Sequence, residues 1–80
     1  MRIIRIPETL KKTGYTKSPL YGDIAAGLFT EPVKIGGRRA VGHPEHEVEA
    51  LVAARIAGKT HDEIRQLVNR LHQARKAVQQ

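Results

Sequence analysis

Apolar residues fall along this chain in short groups separated by proline and glycine, with no long apolar run. Such punctuation marks the ends of short elements. Pro7 to Lys12 is predicted to be a first helix, with proline at its first position and Gly14 just beyond its end. Leu10 is its expected apolar anchor, with Ile4 or Ile6 alongside. A second helix follows, in which Leu20 and Ile24 stand one turn apart and must face inward. Pro19 favours Ser18 as its N-cap, because proline disfavours helical geometry in the residue before it. Thr16 is the alternative, since a first turn tolerates proline anywhere. Gly27 is placed to close this helix in a left-handed cap, turning Leu28-Phe29 back to the core. Two helices joined by so tight a turn form a helix-turn-helix pattern.

Val33 and Ile35 then alternate with Lys34, Gly36-Gly37 follow, and Ala40-Val41 resume the apolar character. That pattern predicts a β-hairpin with Arg38 and Arg39 at or beside its tip. Pro44 is expected to open a third helix with Val48, Leu51, Val52 and Ile56 on one face and Gly58 at its end. Thr60 to Glu63 is a capping box, and a fourth helix carries Ile64, Leu67, Val68, Leu71, Ala74 and Val78 along one stripe. Five of these six, all but Val68, follow the a/d rhythm of a helix seam. A lone helix of this length is marginal in water, so the seam must be buried. Two partners fit. One is the third helix, through the short Gly58-Lys59 connection. The other is a second copy of the chain, the homodimer towards which the pattern leans, because a shared core helps a chain this small. The expected fold is mainly α with a small β-hairpin: a winged helix-turn-helix over residues 1–58, extended by a C-terminal helix over 59–80 that serves packing or dimerisation.

Composition narrows the class. Eighty residues make one domain, and the absence of cysteine rules out disulfides and thiolate metal sites. The chain begins without an apolar run, so neither a signal peptide nor a membrane span is expected, and the default location is the cytoplasm, on the nucleoid. The net charge of +6 is unevenly placed. Residues 1–44 hold eight Lys/Arg against three acids, whereas residues 45–80 hold six against five. A surplus of five in the helix-turn-helix half suits a polyanionic partner, although solubility alone also accounts for charge of this size.

At this point the residues resemble a family. Pro7-Glu8, Thr13-Gly14, Ser18 with Leu20-Tyr21, Gly27 with Phe29, Pro32-Val33-Lys34-Ile35-Gly36 and Glu47-Val48-Glu49-Ala50 occur in the order seen in the AlpA family of phage and prophage regulators, relatives of excisionases and MerR-type domains. The resemblance covers about residues 2–58. It implies a sequence-specific protein that binds double-stranded DNA and regulates phage or mobile-element genes, with an excisionase-like architectural role as the alternative. Two departures from the family pattern stand out. Gly22 occupies a position near which members commonly carry arginine, and Pro19 replaces a common threonine.

On the second helix Ser18 and Gly22 point away from Leu20 and Ile24, flanked by Pro19, Ala25 and Ala26, with Tyr21 at the edge. The candidate DNA-contacting residues are therefore Lys17, Ser18, Tyr21, Gly22 and Ala25 on this helix, and Lys34, Arg38 and Arg39 on the wing. Small side chains allow a close approach to the major groove, with Ala25 or Ala26 against thymine methyls. Asp23 would repel phosphate if it faced DNA. The competing account makes the helix a relic and the chain a protein-interaction module of antirepressor type, docking through its last helix. Lys11 and Lys12 are placed either to touch backbone or to complement the helix dipole.

Other chemistries find little support. His43 and His46 lie three apart across Pro44, without the second ligand pair that zinc needs, so no metal is expected. His61 and His72 are expected on exposed helix surface. No nucleophile–base pair or phosphate loop is recognisable, so neither an enzyme nor a cofactor is expected. Three aromatic residues are too few for a base-stacking RNA surface.

Overall fold

Ile3–Arg5 form a short strand, β1, in which only Ile4 faces inward, at 1% exposure. Three residues are too few to display a two-residue period, and the sequence pattern did not reveal this strand. The computed structural model describes residues 2–37 and 39–78, so the predicted wing-tip residue Arg38 lies outside the described residues. β1 runs straight into α1, Ile6–Thr13, with Pro7 in its first turn and Gly14 closing it through a 2.8 Å bond to the Leu10 carbonyl. Because β1 pins the start of α1 to the core, the inner face consists of Ile6 and Thr9, and Leu10 is only partly covered. Leu10 is thus an edge residue and not the expected anchor.

α2 spans Lys17–Ala25, with Thr16 and not Ser18 at its N-cap. Pro19 falls at the third helical position, where its missing N–H has no intrahelical partner to lose. The Leu20 N–H reaches the Thr16 carbonyl at 3.2 Å. At the other end Gly27 takes φ +78°, its N–H bonding the Ile24 carbonyl at 3.2 Å, and the Leu28 N–H bonds the Asp23 carbonyl at 2.8 Å. Both bonds of a Schellman cap are therefore present, and Leu28 and Phe29 enter the core as expected.

The predicted hairpin is present as β2, Val33–Lys34, and β3, Val41–Pro44, closed by a 2.9 Å bond from the Ile35 N–H to the Ala40 carbonyl. β3 lies in the centre of an antiparallel sheet of order β1-β3-β2, with Ile4 opposite His43 and Lys34 opposite Val41. Gly42 pairs with both neighbours, and a Cβ there would collide with the Ile4 carbonyl oxygen. Glycine at this position lets β1 join the sheet.

α3 spans Glu45–Ile56, and Pro44 occupies its cap instead of its first helical position. Its inner face is Glu47, Val48, Leu51 and Ala54. Ile56, expected to face inward, is 82% exposed. α4, His61–Val78, folds back near Ala54 and leaves the Ile56 side of α3 uncovered. The capping box forms: the Thr60 N–H donates to Glu63 at 2.8 Å and the Glu63 N–H to the Thr60 hydroxyl at 3.2 Å. Ile64 and Val68 are buried in the chain's own core, while Leu67 and Leu71 pack partly against it. Ala74, predicted in the stripe, is exposed because α4 has by then outrun the apolar core. The side chain of Val78 lies outside the described residues.

Two polar clusters sit inside this core. The His43 ring, fully buried, places Nε2 3.0 Å from the Thr30 carbonyl and Nδ1 3.5 Å from the Thr9 hydroxyl, edge-on to Phe29. Burial lowers its pKa, only partly opposed by the Thr30 bond and the Glu47 charge. The carboxylate of Glu47, also fully buried, is gripped by Arg75 of α4 through bonds of 2.8 and 2.6 Å, and Arg75 further donates to the Glu31 carbonyl at 2.7 Å. His72 is half-buried rather than exposed, accepting the Glu31 N–H at 3.1 Å, whereas His61 is exposed.

Candidate nucleic-acid interface

The outward face of α2 is open. Ser18, Pro19, Gly22, Ala25 and Ala26 are exposed, Tyr21 is 41% exposed, and a Cβ added at Gly22 meets nothing within 4 Å. Asp23, which would repel phosphate, is turned sideways into the protein. It accepts hydrogen bonds from the Tyr15 hydroxyl and, at 3.2 Å, from Arg55 of α3. Burial, and then the Asp23 bond, push the Tyr15 pKa up to about 12. Arg65 of α4 donates to the Ala26 carbonyl at 3.1 Å, its stem lying beside Gly27. A cation at this helix terminus also complements the dipole. α2 is thus held from the turn before it, from α3 and from α4. Nothing in the sequence spacing announced these three contacts: Tyr15 and Asp23 stand 8 residues apart, and the other two join residues 32 and 39 apart.

Beside the N-terminal half of α2 runs a groove of about 310 Å³ lined by Arg5, Ile6, Pro7, Leu10, Lys17, Tyr21, Arg39 and Val41. Three of the candidate residues, Lys17, Tyr21 and Arg39, therefore share one surface. Lys34 is exposed on the edge strand β2, directly opposite Val41, and cross-strand partners lie on the same sheet face. Ser18, Gly22 and Ala25 do not line the groove. Arg5 was counted in the charge surplus but not singled out. Its only signal was its place after Ile4 in a strand too short to recognise.

The charges are segregated. Lys12 bonds Glu45 at 3.2 Å and lies 3.6 Å from Glu49, and Arg2 reaches Glu8 at 2.5 Å and Glu45 at 3.1 Å. Its bond to Glu45 raises the Lys12 pKa, and Glu45 and Glu49 together offset the Lys12 charge within the protein. No carboxylate lines the groove, and Arg5, Lys17, Lys34 and Arg39 make no ion pair among the described residues. Among the described residues no helix is long and apolar enough to cross a membrane, and no group of acids and histidines could hold a metal ion.

Helix, turn, helix, hairpin and helix in this order define a helix-turn-helix protein with a wing. Residues 2–56 match the family model of the prophage CP4-57 regulatory protein, AlpA, and the chain belongs to that family of regulatory proteins. It is also similar to the uncharacterized protein ORF88 of Enterobacteria phage P4, with 38% identity over 58 residues. That match covers 72% of this chain and 65% of ORF88, so the chain spans less than two thirds of its relative's length. No solved structure matches the chain. α4 begins beyond the residues matched by the family model.

Proposed function

We propose that the protein is a sequence-specific double-stranded DNA-binding regulator of phage or mobile-element genes, with α2 as its recognition helix and the β2–β3 hairpin as its wing. The observation that carries this reading is the acid-free groove joining Lys17 and Tyr21 of α2 to Arg39 of the wing, beside an α2 face with no bulky side chain. In this reading α2 enters the major groove at Ser18, Gly22 and Ala25. Small residues allow close approach, and Ala25 meets a thymine methyl. Lys17 and Tyr21 grip the adjacent backbone, while Lys34, Arg38 and Arg39 follow the phosphates beside the wing. With glycine at position 22, α2 lacks an arginine to bond guanine, so discrimination rests on apolar contacts and on DNA shape. The pairing of Asp23 with Tyr15 and Arg55 supports this orientation, since it removes the one acid that α2 could present to phosphate.

The test is selection of bound sequences from a random duplex pool by the purified chain. Enrichment of a shared motif supports the reading. Retention of all sequences alike removes the sequence-specific part, leaving an architectural, excisionase-like binder. Absence of duplex retention ends the DNA reading and favours the protein-interaction module.

A further inference from the structure

Three cations come from three different elements to the rim of one groove: Arg5 from β1, Lys17 from α2 and Arg39 from the wing loop. Each stands without an ion-pair partner among the described residues, although nearby Arg2 and Lys12 are both paired. The floor between them is aliphatic, made by Ile6, Pro7, Leu10 and Val41. Three unpaired cations around one depression raise the local positive potential and draw an anion to it, and the pairing of the nearby Arg2 and Lys12 makes the contrast sharper. An aliphatic floor with cationic walls matches a sugar–phosphate chain, whose deoxyribose is apolar and whose phosphates are not. Apart from the three cations, the Tyr21 hydroxyl is the one donor or acceptor side chain among the described residues lining the groove, which suits a phosphate oxygen better than the several-point pattern of a base edge.

We infer that Arg5, Lys17 and Arg39 form a three-armed clamp on one stretch of DNA backbone, and that Arg5, outside both the helix-turn-helix and the wing, is a phosphate-contacting residue of the interface. The inference rests on the DNA-binding reading above and adds a contact which that reading does not need. Its position on β1, hydrogen-bonded into the sheet centre, gives Arg5 a rigid base, so the clamp fixes the register of the duplex against α2.

Two properties follow. Arg5 contributes affinity without sequence preference, and it contributes about one unit to the slope of log affinity against log salt. The experiment measures binding of the full chain to one selected duplex and to an unrelated duplex across a salt series, for the native protein and for Arg5→Ala, Arg5→Lys and Arg2→Ala. Arg5→Ala is expected to weaken both duplexes by the same factor and to lower the slope by about one unit. Arg5→Lys should retain the slope, and Arg2→Ala, which removes a charge already paired to Glu8 and Glu45, should leave it unchanged. A slope unaltered in Arg5→Ala while the native chain binds DNA normally overturns the clamp and leaves the DNA reading intact. An equal loss in Arg2→Ala overturns it too, because the effect would then be general charge rather than a contact. A native chain that binds no duplex ends both. Melting curves of each variant check the fold, which is expected to be kept because Arg5 is exposed on its strand.

Discussion

Arg75→Met isolates the buried ion pair that ties α4 to the rest of the domain. The native guanidinium makes two bonds to the Glu47 carboxylate, which is fully buried, while a quarter of the Arg75 side chain meets solvent. Methionine preserves most of the packing of the arginine stem but leaves Glu47 facing a void and strips the Glu31 carbonyl of its donor. Breaking a buried pair from one side costs about 3–5 kcal/mol. The partial exposure of Arg75 admits water to the vacated space, so about 3 kcal/mol is the appropriate figure here. A domain of this size holds roughly 4–12 kcal/mol in all. At about 4–8 °C per kcal/mol, the melting midpoint should fall by about 12–24 °C. Thermal melting followed by far-ultraviolet circular dichroism measures this directly. A Glu47→Met, Arg75→Met double variant, which removes both charges, should recover most of the loss. A single variant melting within about 3 °C of the native protein would show that the pair does not hold α4 in place. A double variant as unstable as the single one would show that the loss came from packing and not from a stranded carboxylate.

Gly22→Arg should keep the fold and raise stability by up to about 1 kcal/mol, since arginine is the better helix former and nothing crowds the position. Repeating the pool selection should then recover sites enriched in guanine, and an unchanged motif would place α2 outside the major groove. His43 carries a lowered pKa in the fold, so the unfolded chain takes up its proton first as pH falls. Its contribution to stability should therefore be full above the ordinary value of 6.5 and decline below it, and His43→Gln should reduce the pH slope of the melting midpoint as pH falls below that value. An identical slope in the variant would assign the acid sensitivity elsewhere. Leu67→Glu with Leu71→Glu addresses the homodimer through α4, where these two large apolar side chains are partly covered while Ile64 and Val68 are used internally. A dimer converted to a folded monomer supports that interface, whereas a monomer both before and after, with a lower melting point, assigns the seam to the chain's own core.

What was legible in the sequence was local. Gly27, the Thr60–Glu63 box and Gly36-Gly37 each act within a few residues, and their predicted turns and caps are present. Leu20 and Ile24 gave the phase of α2 correctly because a helix this short has only one apolar stripe to bury. Longer helices were harder. α3 has apolar residues on more than one side, and its true inner face includes Glu47, whose burial depends on an arginine 28 positions away. Ile56 was misplaced for the same reason, since only the return path of α4 decides which side of α3 is covered. β1 was too short for its period to show. With it went Arg5 and the explanation for Gly42, which is needed for the close approach of that strand. Of the site, the α2 face was visible because exposure opposite a known apolar stripe can be worked out by angle, and Arg39 because the glycine pair set the position of the hairpin tip. The groove was not, because it is assembled from β1, α1, α2 and the wing.

The central claim is that the α2 face and the wing meet the backbone of one duplex. The most direct measurement is the salt dependence of duplex binding by the native chain and by a Lys17→Ala, Arg39→Ala variant, each over the same range of potassium chloride. Both residues are exposed and unpaired among the described residues, so their removal should leave the melting point within about 3 °C of native. Affinity should fall for every duplex tested, and the slope of log affinity against log salt should flatten by about two units. A folded variant that binds as tightly as the native protein and with the same slope would contradict the claim.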